Sequence, residues 1–186
     1  MSDYFAFFDY ENSKPDGGTS SVVKILRAFA AARVNTSILA IFDNDAVGVE
    51  AFNTANTLRL PGNIKVTLLP EISLAQSYPT IWPQGTHDVD VNGRAASIEL
   101  FLGRHNFMRA DGTLIPIVWN NYVKRIDRYQ GALDDKEKPF ARFLQETASR
   151  DNGVDYALRY PELVVLWEHI FAVLRQDRRF TSLWEK

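Results

Sequence analysis

Between Tyr4 and Leu69, three apolar runs of strand length alternate with two amphipathic runs of helix length. That order restricts the fold more than any other feature of the 186-residue chain. "YFAFF" from Tyr4 to Phe8, "SILAIF" and "IKVTLLP" are largely apolar or β-branched, as strands buried on both faces are. Between the first two lies "SSVVKILRAFAAAR", with Val22, Ile25, Leu26, Phe29 and Ala30 on one helical face and Ser20 or Ser21 as its N-cap. Between the second and third lies "VGVEAFNTANTL", which presents Phe52, Ala55 and Leu58 and is ended by "LPGN". Strand–helix–strand–helix–strand predicts an α/β fold, a Rossmann-like parallel sheet flanked by helices. In such sheets the functional site lies at the carboxyl ends of the strands. Asp43 and Asp45, at the end of "SILAIF", occupy such a position, and so do Asp9 and Glu11 after the first run.

The rest of the chain is less regular. "EISLAQSYPTIWPQGTHDVDVNG" reads as a long loop rich in Pro and Gly, a kind of segment that often carries function. "RAASIELFLG" reads as a short helix ending at Gly103, with Ala95, Ile98 and Leu102 as its apolar stripe and Glu99 at the edge of that stripe. "DGTLIPIVW" suggests a small hairpin. From Tyr122 onward the chain reads as helical and charged. These readings divide the chain into an α/β core over residues 1–105 and a mainly α-helical C-terminal extension over 106–186 packed on it.

Composition excludes several chemistries. There are no cysteines, which removes disulfides, thiolate metal sites and cysteine nucleophiles. The three histidines (His87, His105, His169) have no metal-site spacing. A net charge of −2 and a pI near 5.9 argue against a globally basic nucleic-acid binder, though not against a local basic groove or recognition through a bound metal. Neither a signal peptide nor a membrane span is expected, so a cytoplasmic setting without membrane contact is the default.

The acidic turn "AIFDNDAVG" concentrates the chemistry. Along an extended strand Asp43 and Asp45 point to the same side, where the two carboxylates repel unless a cation neutralises them. Mg²⁺ is commonly held by one or two carboxylates together with waters and phosphate oxygens. The alternative is structural, with Asp43 capping the strand and Asp45 capping the following helix. Other candidates are weaker. His87, Asp88 and Asp90 in "GTHDVDVNG" are loosely similar to a calcium loop but lack its final glutamate, which favours a polar turn. Ser97 lacks a nucleophile-elbow setting. Arg175, Arg178 and Arg179 are as well explained by the end of a helix as by phosphate binding. Trp82 and Trp119 are of a type that stacks on bases, but burial in the core is the reading preferred for them.

"IFDNDAVG" followed by "VEAFNTA" resembles the D-x-D…G segment of the Toprim domain of topoisomerases, primases and OLD-type nucleases. The resemblance is closer to the bacterial family that joins HEPN and Toprim modules. It rests on an ordered set: Gly17-Gly18, Ala40 to Asp45, Leu60 to Val66, Tyr78 to Gly85, Asn92 to Gly103, and Tyr129 to Gly131 with Lys136. That set covers roughly Gly17 to Lys138. The resemblance implies a Toprim-like core and Mg²⁺- or Mn²⁺-dependent phosphodiester cleavage of nucleic acid, DNA rather than RNA, in a setting such as defence against phage. By position it makes Asp43 and Asp45 metal ligands and Glu99 the ligand of a second metal. Two cations would activate water and stabilise the leaving oxygen. The Toprim pattern also places a strand bearing a catalytic glutamate ahead of the Tyr4–Phe8 run, and that strand is missing here. Glu11 or Asp9 is the candidate substitute, although Asp9-Tyr10-Glu11 equally fits a plain turn. A second expectation follows, that the chain is a non-catalytic or split Toprim subunit completed by a partner chain or a second copy. A phosphohydrolase of the haloacid-dehalogenase kind also uses D-x-D at a strand end, and Val47 fits its spacing, but the ordered set points to Toprim.

Overall fold

The computed structural model describes residues 5–7, 18–148 and 155–175. The chain is a mixed α/β protein. Helix α1 (Thr19–Ala31) leads to strand β1 (Ile38–Phe42), the short strand β2 (Asn44–Asp45), helix α2 (Ala46–Asn56) and strand β3 (Ile64–Leu68). β1 and β3 run parallel, from Ile38 beside Ile64 to Phe42 beside Leu68. A parallel pair needs a crossover, and α2 supplies it. Asn63 of "LPGN" fixes the entry to this unit, its side-chain amide donating to the carbonyls of Val34 (2.7 Å) and Thr36 (2.8 Å). Val23 and Leu26 of α1, Ala51 and Ala55 of α2, Phe42 of β1 and Ile64 of β3 share one core cluster. Of the predicted faces, Leu26 and Ala55 are buried and Val22, Phe29, Ala30, Phe52 and Leu58 pack against them partly buried, whereas Val23 and Ala51 join the core unpredicted and Ile25 is not part of it. Burial of side chains such as Leu26 and Phe42 contributes ~1.5–3 kcal/mol each.

Beyond Leu69 the chain departs from the expected loop. A single turn, α3 (Ser73–Gln76), precedes β4 (Tyr78–Trp82) and β5 (Gly85–Val89), which form an antiparallel hairpin over "YPTIW" and "GTHDV". Pro83 and Gln84 form its two-residue turn, closed by the Trp82–Gly85 pair, rather than an open loop. "RAASIELFLG" is not one helix. It is strand β6 (Ala95–Ala96), antiparallel to β2, followed by a 3-10 turn over Ile98–Phe101. A second 3-10 turn spans Arg104–Phe107, and the expected hairpin near Asp111 is a tight turn closed by a bridge between Met108 and Leu114.

Strands β7 (Ile117–Val123) and β8 (Arg128–Leu133) then correct the expectation of helix from Tyr122 onward. They pair antiparallel, and β7 pairs parallel with β4, giving a four-stranded sheet in the order β5-β4-β7-β8. The division expected at residue 105 thus falls inside a sheet. Parallel pairing along whole strands is confined, among the described residues, to β1 and β3; the two hairpins impose antiparallel neighbours. Helices α4 (Glu137–Ala148), α5 (Tyr156–Arg159) and α6 (Pro161–Arg175) complete the described chain. Leu166, Ile170 and Leu174 of α6 join the larger core, and Thr67 Oγ1 of β3 lies 2.7 Å from His169 Nε2. Phe5-Ala6-Phe7, the described part of the expected first strand, is not in a strand. Phe5 packs its ring on Trp167 and Phe171 of α6. α1 follows Gly18 and not a serine cap; no side chain caps it.

Glu146 holds the helical end together. Its carboxylate accepts from Arg159 (2.7 Å) and Tyr160 Oη (2.6 Å) and lies 2.8 Å from His105 Nε2. The Arg159 hydrogen bond, aided by Tyr160 and His105, lowers its pKa to about 2. A lowered folded pKa stabilises above the ordinary carboxylate range and is lost as pH falls toward 2. Glu146→Ala is expected to destabilise the protein by about 1 kcal/mol at pH 7, a modest loss because the cluster is partly exposed. Urea unfolding should show this loss shrinking as the pH is lowered.

Candidate functional site

The end of β1 is built around a steric requirement. Gly48, in the first turn of α2, sits so close to the preceding loop that a Cβ would lie 2.0 Å from the carbonyl oxygen of Asp43. No other residue fits, and the glycine of D-N-D-x-x-G is thereby explained. Asp45 is the N-cap of α2, with Oδ1 accepting from Gly48 N at 2.6 Å. Asp43 Oδ1 accepts from the backbone N of Ile98 at 3.0 Å, tying the strand end to the first 3-10 turn. The helix cap expected of Asp45 is therefore present, while Asp43 holds a distant turn, and the two carboxylates lie near enough for Asp45 to raise the pKa of Asp43.

Four further groups converge there. The "NGRAAS" segment lies along β2: Gly93 N donates to Asn44 O at 2.8 Å and Ala46 N donates to Arg94 O at 3.2 Å. From β8, Gln130 Nε2 donates to Asp45 Oδ2 at 2.7 Å, while its Oε1 accepts from Val47 N at 3.0 Å. Glu99 comes from the first 3-10 turn, and Lys136 Nζ lies 3.0 Å from its Oε1. The other oxygen, Glu99 Oε2, is buried without a hydrogen-bond partner. Among the described residues Asp43 Oδ2 likewise accepts no hydrogen bond.

The electrostatics follow from this crowding. Burial first, then the Asp45 carboxylate and more weakly Glu99, push the pKa of Asp43 up to about 6, against the Ile98 amide and Lys136. Glu99 behaves oppositely. Burial is its largest single influence and raises its pKa, but hydrogen bonds from Ser97 and Lys136 together outweigh it, and the carboxyl titrates below its usual range. The site thus carries more negative charge than its one neighbouring ammonium balances. A cation of the Mg²⁺ class suits that imbalance, because oxygens of Asp43 and Glu99 are left without protein donors. Among the described residues no group of three or more His, Asp or Glu side chains is arranged to hold a metal ion by itself. Mg²⁺ binding there would draw on one or two carboxylates and on substrate oxygens.

The remaining expectations sort plainly. Glu11, Asp9, Arg178 and Arg179 lie outside the described residues, as does Gly17. Arg175 is exposed at the end of α6. His87 and Asp88 are exposed on β5, and Asp90 accepts from Asn92 N and Nδ2, each at 2.9 Å, as a polar turn would. Gln130 and Lys136 belong to the "YQG…K" segment that the sequence singled out, but with no role attached. Their roles depend on partners 85 and 37 positions away. No family model matches the chain, and no curated protein or solved structure matches it.

Two consequences are measurable. Gly48→Ala is expected to cost more than ~2 kcal/mol, since a backbone oxygen must be displaced at the cap. Chemical denaturation would register it. For Asp43, a folded pKa raised to about 6 means that the folded state holds the extra proton between about pH 4 and 6. Stability then falls as pH rises through that window. Asp43→Asn removes this dependence. Its melting temperature should equal or exceed wild type at pH 7, an advantage of about 1–2 kcal/mol that disappears below about pH 4.

Proposed function

We propose that the chain carries out Mg²⁺- or Mn²⁺-dependent cleavage of phosphodiester bonds in nucleic acid, DNA in preference to RNA, at a Toprim-like site formed by Asp43, Asp45 and Glu99. The observation that carries this reading is the convergence of these carboxylates from the end of β1 and the first 3-10 turn, with Asp43 pushed up to about 6 by burial and its acidic neighbours. The parallel β1–β3 pair, with α2 entered through Asp45, supports a Toprim-like core. A bound Mg²⁺ would polarise the phosphoryl oxygens and lower the pKa of an attacking water.

The chain's own groups supply the rest. Gln130 fixes the rotamer of Asp45 while holding the N-terminal turn of α2 through Val47 N. Lys136, beside Glu99, is placed to balance charge that develops on a phosphate bound over the carboxylates. The positive end of the α2 dipole lies at the same place.

Nicking of a supercoiled plasmid tests the reading. With Mn²⁺ or Mg²⁺ the purified chain is expected to convert plasmid to the nicked form, and Asp45→Ala and Glu99→Ala are expected to abolish this. Gln130→Leu should lower the rate about 10–100-fold, as loss of a group that orients a metal ligand does. A folded wild-type chain that leaves the plasmid intact with either metal would rule out the autonomous enzyme. One observation favours a second reading. Among the described residues β1 and β3 pair only with each other, so each has an outer edge open to another strand. A partner chain or a second copy would then complete the sheet, and activity would depend on mixing the two.

A further inference from the structure

The four-stranded sheet carries a cavity of about 240 Å³ lined by Trp82, Arg94, Trp119, Tyr122, Asp127, Arg128 and Tyr129. Its walls follow from strand register. Trp82 ends β4, one step beyond the Ile81–Val118 pair, which places it beside Trp119 of β7 with ring centroids 5.5 Å apart. Tyr122 and Tyr129 are cross-strand partners on β7 and β8, with centroids 5.1 Å apart. Trp119 and Tyr122 are three residues apart and in a regular strand would face opposite sides. They share the cavity because the register shifts between them: Asn120 and Asn121 stand opposite the single residue Gln130. Such a bulge re-aims side chains and is frequent beside active sites. Gly131, opposite Trp119, leaves room for the indole, since a Cβ there would meet it at 3.1 Å.

Charged groups stand at the edge of the aromatic wall. The Arg94 guanidinium lines the cavity with no hydrogen-bond partner among the described residues, and Arg128 lines it while donating to Gly93 O at 2.9 Å. Asp127 is engaged by the Tyr122 hydroxyl. The Trp119 indole N–H is buried without an acceptor among the described residues. Tyr122 and Tyr129 are about half exposed, at 45% and 51%, so the paired rings present an accessible surface.

From this combination we infer that the cavity binds an unpaired nucleobase of a nucleic-acid strand, stacked on the aromatic wall with its phosphate on Arg94. Stacking is open to every base, and a base can reach such a wall only when it is not paired in a duplex. The cavity and the carboxylates share their backbone. Arg94 bridges to Asp45, and Tyr129 adjoins Gln130, which holds Asp45. Taken together with the acidic site, the cavity makes single-stranded or locally opened nucleic acid the substrate. This last step rests on the phosphodiesterase reading; occupancy of the cavity does not.

The test is fluorescence anisotropy of a short fluorescein-labelled oligothymidylate with the full chain in EDTA, where no cleavage intervenes. Binding with quenching of tryptophan emission is expected. Tyr129→Ala should weaken it about tenfold and Tyr129→Phe should retain most of it. Arg94→Gln should weaken it and lower the salt slope by about one. Both side chains are exposed, so the fold should persist, and a melting curve checks this. Equal affinity for Tyr129→Ala and wild type would overturn the assignment. So would a duplex of the same sequence bound as tightly as the single strand, or thymidine monophosphate competing at the oligonucleotide's own concentration. Plasmid nicking without oligothymidylate binding would reject the cavity and leave the acidic site standing. Binding without nicking would do the reverse.

Discussion

The carbonyl of Asp43 against Gly48 is the contact on which the candidate site depends. It sets how closely α2 approaches the end of β1, and only a glycine permits a Cα at that distance. With the helix so close, Asp45 must cap it, since its Oδ1 is within reach of Gly48 N and little else competes. The cap in turn fixes the direction of the second Asp45 oxygen, which Gln130 meets from β8. Asp43 is left to hold Ile98, and through it the turn that carries Glu99. Capping and ligand binding are therefore not rival explanations of these aspartates. The cap is the device that orients the carboxylates.

Much of the first half was legible in the chain. β1, α2 and β3 could be read because their apolar periods are clean and their ends carry Asp45 and "LPGN", whose effects are local. The cap of α1 was not, because Gly18 starts the helix through its backbone and the nearby serines only look like caps. Past Leu69 the rules failed for reasons of two kinds. The β4–β5 hairpin was hidden by Pro79, Pro83 and Gly85, residues that mark a loop in isolation and are tolerated here in a strand and its turn. β7 was hidden by its bulge: Asn120-Asn121 breaks the alternation that would have betrayed the strand, and the "KRIDR" turn that follows reads as charged helix.

The site residues divide along the same line. Asp43 and Asp45 announced themselves because like charges two positions apart in a strand call for an explanation. Glu99 was expected at the edge of a helical stripe, but its segment is a 3-10 turn, from which it lies near enough to Asp43 to raise that carboxyl's pKa. Gln130 and Lys136 had no local signal. A glutamine in a strand and a lysine in a loop are ordinary until tertiary structure sets them against Asp45 and Glu99.

The same bulge that hid β7 links the two faces of the proposed site. Gln130 is the residue it isolates, standing alone against Asn120 and Asn121 and turned toward Asp45. Tyr122, beyond the bulge, is turned into the aromatic cavity with Tyr129. A regular ladder would send Tyr122 to the side opposite Trp119 and split the aromatic wall. One inserted residue on β7 thus keeps Tyr122 on the same side as Trp119, while the unbroken alternation of β8 sets Gln130 on Asp45 and Tyr129 on the cavity. The two faces meet in β8, where the residue that orients a carboxylate is the chain neighbour of one that forms the aromatic wall.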